Sequence, residues 1–192
     1  MGLVRYILTT LALVLITSSS SAQAPFSNLE FRIQGSHNVN RSRLYDNWHP
    51  ASGMKLSVST PFYTGDWEMS LGFHRFNAST NVPGFGALWI SSGWGLKIPV
   101  HTRITIRPII HIGNYRMSFD DSATTYSGES SESDFVGGAR ILTSFNISRK
   151  WFLFGETEYL RVQTQPLMHL LFISVGVGFQ VQTGNFVKIF LE

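Results

Sequence analysis

Between residues 29 and 181 the chain keeps returning to one pattern, apolar and polar side chains alternating with period two. Residues 29–36 place Leu29, Phe31 and Ile33 on one face and Glu30, Arg32, Gln34 and Ser36 on the other. Residues 54–62 set Met54, Leu56 and Val58 against Lys55, Ser57 and Ser59. Residues 67–76 set Trp67, Met69, Leu71 and Phe73 against Glu68, Ser70, Gly72 and His74. In residues 85–98, Leu88, Ile90, Trp94, Leu96 and Ile98 oppose Ser91, Gly93, Gly95 and Lys97. In residues 104–115, Ile104, Ile106, Ile110 and Ile112 oppose Thr105, Arg107, His111 and Gly113. Residues 135–148 contrast Phe135, Ala139, Ile141, Phe145 and Ile147 with Gly138, Arg140, Ser144 and Asn146. Residues 151–161 contrast Trp151, Leu153 and Tyr159 with Glu156 and Glu158. Residues 169–181 contrast Leu171, Ile173, Val175, Val177 and Phe179 with Ser174, Gly176, Gly178 and Gln180. Each stretch has the length and period of a strand that crosses a bilayer, one face to lipid and the other to an interior.

Eight such stretches predict an all-β fold, a closed antiparallel transmembrane β-barrel of about eight strands. The charges test this independently. Glu30, Arg32, Lys55, Glu68, Lys97, Arg107, Arg140, Glu156 and Glu158 all fall on the polar faces, five cations and four anions. On the apolar parity Arg75, Arg116 and Arg161 stand only near stretch ends, where long side chains reach headgroups. A charge facing mid-bilayer lipid costs roughly 2–4 kcal/mol, which accounts for this segregation. Connections alternate in length too. Residues 63–66, residues 99–103 and the turn around Arg149 and Lys150 are short, whereas residues 37–53 and 120–134 form long loops on the opposite side. Trp67 and Trp151 open their strands at the short-turn side, where an interfacial aromatic belt belongs. Pro108 sits inside the fifth stretch, where it removes a ladder hydrogen bond, so a bulge or kink is expected there.

The remaining segments and the composition fit export to an envelope. Residues 1–22 read as a signal peptide: Arg5, then an apolar stretch over residues 6–16, then small residues, with cleavage before Gln23 or alternatively after Ala24. The barrel occupies residues 26–182, and residues 183–192 form a tail or strand extension in which Val187, Ile189 and Leu191 alternate. There is no cysteine, which excludes disulfides and thiolate metal sites. A net charge of +3 without a basic block gives no reason to expect nucleic acid as a partner. Glycine-alternating strands such as Gly93-Trp94-Gly95 and Gly176-Val177-Gly178-Phe179 complete the pattern.

Taken together, signal segment, strand pattern and glycine alternation make residues 26–182 resemble the OmpA/OmpX-type small outer-membrane barrels, the outer-membrane protein β-barrel domain family. The resemblance implies a bacterial outer-membrane protein, monomeric, inserted by the barrel assembly machinery and surrounded by outer-membrane lipid and lipopolysaccharide.

Candidate chemistry is sparse. No metalloprotease, nucleophile-elbow or phosphate-loop motif occurs, and no catalytic, cofactor or metal site is expected. The nine luminal charges read as a network filling a lumen only just wide enough for side chains, or else as a narrow charged gate. Arg41, Arg43, Tyr45, Trp48 and His49, in the first outer loop, are candidate contacts to lipopolysaccharide phosphates or an external surface. Asp120, Asp121, Glu129, Glu132 and Asp134 make the other long loop acidic. The expected function is non-enzymatic, a structural or surface-interaction barrel with its lumen plugged by charged side chains. The alternatives are a lipid A-modifying acyltransferase or deacylase and a narrow porin-like channel. No histidine stands two residues before a serine, as such a deacylase would require, although Asp46, His49 and Ser52 resemble the residue types of an acyltransferase. Finally, the tight turn near Arg149 and Lys150 allows two registers. One sets Arg140 directly opposite Glu158, and the other makes them diagonal neighbours.

Overall fold

The structure is a computed structural model, and it describes residues 25–39, 43–78, 82–120, 131–165 and 167–183. The expected signal segment, residues 1–22, and most of the expected tail lie outside the described residues. Eight long strands carry the fold: β1 (Asn28–Asn38), β3 (Ser52–Phe62), β4 (Gly65–Ala78), β5 (Phe85–Gly95), β7 (Ile104–Phe119), β8 (Ser131–Asn146), β9 (Trp151–Val162) and β10 (Met168–Gln182). Two short ones, β2 (Trp48–Pro50) and β6 (Ile98–His101), are accessory. Each long strand pairs antiparallel with the next, and β10 returns to β1 from Asn28↔Gln182 to Asn38↔Phe172. The sheet therefore closes on itself with no free edge, the condition for satisfying every backbone polar group in lipid.

Alternation in sequence becomes alternation in burial. Along β1 the even positions Glu30, Arg32, Gln34 and Ser36 are buried while Phe31 and Ile33 are exposed. The outward band is mainly apolar, interrupted by residues such as Ser92, Asn114 and Thr157, with side chains such as Ile110, Ile112, Ile141 and Val175 more than half exposed. A soluble protein rarely shows so large an apolar girdle, and a bilayer covers one. At the short-turn end Trp67 stands opposite Trp94, and Trp151 packs against Phe179 with ring centroids 4.7 Å apart. That row is the aromatic belt of one interface. The β3–β4 turn needs only Tyr63 and Thr64 between the paired Phe62 and Gly65, and Tyr63 takes φ 55° at the first turn position. Positive φ there suits the primed turns that match strand twist.

Three expectations are corrected. Pro108 introduces no bulge into the pairing of β7 with β8, which runs without a shift from Ile104↔Phe145 to Ser118↔Ser131. The missing N–H acts on the other side. Gly95↔Ile109 ends β5, Ile98↔Ile106 begins β6 in the same register, and the interruption at Leu96 and Lys97 lies opposite Pro108 and Arg107. Leu96 still donates its N–H to the Pro108 carbonyl at 3.1 Å, but proline returns no donor, so the stretch expected as one strand over residues 85–98 splits. The shift in register falls instead within β6, between Pro99 and His101. Third, the acidic loop is shorter than residues 120–134, because Ser131, Glu132, Ser133 and Asp134 already pair with β7. Asp121 and Glu129 lie outside the described residues.

Candidate functional site

Every strand sends its even or odd set inward, so the interior is assembled from eight elements at once and sorts into layers. Nearest the short-turn end, Arg107 of β7 reaches across the barrel to Glu30 of β1, donating through both Nη atoms to the two carboxylate oxygens at 2.9 Å. Its Nε lies 3.3 Å from Asp66 of β4, and Lys97 approaches Asp66 at 2.9 Å and Glu30 at 3.7 Å. One step further in, Glu68 receives Arg32 on one oxygen and Arg140 on the other at 2.6 Å, with the Ser70 hydroxyl donating at 2.9 Å. Arg140 also reaches Glu158 at 3.3 Å. Lys55 of β3 lies between Glu156 and Glu158 of β9, 2.7 Å from the latter, and Gln34 donates to Glu156 at 2.8 Å.

All nine charges expected on the polar faces are thus joined in one network. Arg140 stands directly opposite Glu158, the first of the two registers the turn allowed. The network contains a tenth member that sequence reasoning missed. Asp66 is buried, and it brings the anions to five against five cations, a neutral set. Fork-shaped guanidinium contacts to carboxylates are the strong form of such pairs. Their spans matter as much: Arg107–Glu30, Arg140–Glu68 and Lys55–Glu156 each tie strands that are not neighbours in the sheet.

Towards the long-loop end the chemistry changes. His74 is stacked between Trp89, with centroids 4.3 Å apart and planes 7° from parallel, and Phe172 at 4.0 Å and 17°. Tyr115 continues the stack beyond Trp89 at 6.3 Å, and Phe76 stacks on Phe85 at 4.7 Å. Ala87, Met117, Val136, Leu160, Val162, Met168 and Leu170 complete a buried apolar cap. Trp89 stands directly opposite Gly72, and its ring occupies the space where a Cβ at Gly72 would sit. The same device recurs near the short-turn end, where Phe152 lies over Gly178 and Phe154 over Gly176, each its register partner. Those two rings and Leu142 form a second small apolar cluster.

The outer-loop candidates scatter. Arg41 lies outside the described residues; Arg43 and Tyr45 belong to a 3-10 turn, η1 (Arg43–Asp46). Trp48 turns inward, donating Nε1–H to the Pro83 carbonyl at 2.7 Å and meeting Phe85 edge-on at 5.6 Å, so it extends the cap. His49 is exposed on β2, which pairs with the outer end of β4. Among the described residues no group of histidine and acidic side chains is arranged to hold a metal ion. The cap has a signature in the sequence: Trp89, Leu160, Leu170 and Phe172 are large apolar residues on the same parity as the charges.

No protein-family description matches the sequence, and no curated protein does. Solved structures do match the fold. The N-terminal β-barrel domain of Pseudomonas aeruginosa OprF superposes with a TM-score of 0.52 at 12% identity, covering 82% of this chain and 100% of that one. Neisserial surface protein A gives 0.52 at 12%, covering 81% and 97%. Ail, the attachment invasion locus protein of Yersinia pestis, solved with the heparin analogue sucrose octasulfate, gives 0.52 at 11%, covering 80% and 98%. What this chain shares with them is the fold of a small bacterial outer-membrane barrel.

Proposed function

We propose that this chain works in the bacterial outer membrane as a non-enzymatic barrel with a plugged lumen and its rim and outer loops as the working surface. The observation that carries this reading is the set of charge pairs spanning the interior. Arg107–Glu30 and Arg140–Glu68 link non-neighbouring strands through side chains almost wholly removed from solvent. A water-filled path would have to break several of these pairs together, giving up their charge-assisted contacts. The apolar cap above adds a second obstruction built from stacked rings. The acyltransferase alternative draws on Asp46, His49 and Ser52, which sit on η1, β2 and β3 and supply no feature beyond ordinary loop polarity.

Purified protein reconstituted in planar bilayers tests the reading. The expected result is heat-modifiable migration on gels, as a closed hydrogen-bonded ladder gives, with little or no conductance. Large, steady channels would overturn the plugged lumen in favour of a porin-like role. Recovery of folded protein from the soluble periplasmic fraction would overturn the membrane location itself.

A further inference from the structure

The lipid-facing surface of β8, β9 and β10 changes character at one height. On the β9–β10 ladder Trp151 faces Phe179, and ten residues further along both strands Arg161 faces His169. At ~3.3 Å per residue and a tilt of roughly 40°, that separation is about 25 Å, the height of a barrel's apolar band. Between the two rows the outward positions are Leu153, Gly155, Thr157 and Tyr159 on β9 and Leu171, Ile173, Val175 and Val177 on β10. With Trp151 and Phe179 at the interface of the short-turn side, Arg161 and His169 stand in the headgroup layer of the opposite leaflet.

Their surroundings are specific. The Tyr159 hydroxyl lies 2.6 Å from His169 Nδ1, and the two rings stack with centroids 6.0 Å apart. When the phenol donates to Nδ1, the imidazole proton resides on Nε2 and serves as a donor. Arg161 contributes a planar fork of donors beside it. The lipid-facing parity of these three strands carries no acidic residue, and the exposed Glu132 stands on the opposite parity at the outer end of β8. On the flank of Arg161, its register partner is Gly137, where an added Cβ would meet only the Phe135 ring at 3.8 Å. An apolar hollow begins at this notch and continues past Ile112 and Ile110 to Trp94.

We infer that Arg161, His169 and Tyr159 form a binding site for the phosphate of an outer-leaflet glycolipid, with one acyl chain lying in the hollow below Gly137. Arg161 takes the phosphate through its fork, His169 donates from Nε2, and Tyr159 holds the imidazole in that tautomer. This assignment rests on the membrane reading only for which leaflet the residues face.

The test uses the full chain refolded in nonionic detergent, titrated with bisphosphorylated lipid A, with the same lipid after complete dephosphorylation, and with inorganic phosphate alone. The readouts are the temperature of heat modification and the nitrogen resonances of the His169 ring. Bisphosphorylated lipid A is expected to raise that temperature saturably and shift the Nε2 resonance, while the other two probes do neither. Arg161→Gln and His169→Gln are each expected to weaken binding about tenfold, the loss of one charge-assisted contact. Arg161→Lys keeps the charge without the fork and should fall between them and the wild type. It also serves if either glutamine variant fails to fold. Tyr159→Phe should move the Nδ1 resonance without lipid present. Equal binding by wild type and the variants, or equal binding of the dephosphorylated lipid, would overturn the site. Saturation by inorganic phosphate would replace the lipid with a free anion and overturn it as well. A wild-type chain that never becomes heat-modifiable would instead refute the barrel, so the two failures are distinguishable.

Discussion

Within one barrel, charge pairs dominate the interior near the short turns, beside the small cluster of Phe152, Phe154 and Leu142, whereas stacked rings dominate the interior near the long loops. In the lower layer Glu30, Asp66, Glu68, Glu156 and Glu158 hold Arg32, Lys55, Lys97, Arg107 and Arg140 in a neutral set of pairs. In the upper layer Phe76, Trp89, Tyr115, Leu160 and Phe172 pack around His74. The first arrangement is directional. Each carboxylate is placed for particular donors, and removal of one member leaves its partners short of a counter-charge. The second is contact chemistry, in which rings of similar size can substitute for one another at modest cost. Substitutions among the stacked rings are therefore expected to cost less than substitutions among the charge pairs.

The sharpest way to break that contrast is to remove Glu68, which holds Arg32, Arg140 and Ser70 together. Glu68→Ala leaves two guanidinium groups with one fewer anion, and the expected loss is about 3–5 kcal/mol. Urea titration of the barrel in lipid vesicles measures it. A loss under about 1 kcal/mol, the size of a solvated pair, would show that water screens the network and that the two halves do not differ in kind.

A smaller effect is expected from Arg140 and Glu158. Their pairing is one strand in a mesh, since Arg140 keeps Glu68 and Glu158 keeps Lys55 when the other is lost. Each alanine variant alone should cost about 2 kcal/mol, below the range for breaking an isolated buried pair. The double variant should cost less than the two together by about 1 kcal/mol, the coupling of residues in one network. Strict additivity in this cycle would mean that the 3.3 Å contact contributes nothing and that Arg140 is held by Glu68 and Ser70.

The lower half was largely legible in the sequence, and the upper half was not. Charges are informative because lipid penalises them, so their parity alone put Glu30, Arg107 and the rest inside. Asp66 escaped because Gly65 and Asp66 look like the end of a turn, while the turn itself needs only Tyr63 and Thr64. Large apolar residues carry no such penalty on either face. Trp89 and Phe172 could have faced lipid, and only their shared parity with Ser91 and Ser174 marks them as internal. Pro108 was legible as a ladder defect but not as to where the defect would fall, because that depends on which neighbouring strand its absent N–H should have met. Trp48, expected as an outward contact, packs inward instead, since a loop has no period to fix the side its residues face.

The smallest effect is expected inside the cap, at the residue that looks most polar. Among the described residues neither ring nitrogen of His74 has a hydrogen-bond partner, and both are buried. The side chain is held by its faces, between Trp89 and Phe172. His74→Phe keeps both stacks and removes two buried, unpaired nitrogens, a gain of about 1–3 kcal/mol in relieved desolvation. Against that, the ring already occupies the place of a Cβ at Gly53, so the larger phenyl meets backbone there and gives back about 1–3 kcal/mol through overpacking. The two terms offset, and stability in the same urea titration should move by less than about 1 kcal/mol in either direction, by the balance of those ranges. Glu68→Gln, an exchange of similar conservatism one layer below, should cost far more, because it deletes a charge that two arginines share. If His74→Phe proved as damaging as Glu68→Ala, His74 would have to be held through its nitrogens, and the cap would be a second polar network rather than a packed stack of rings.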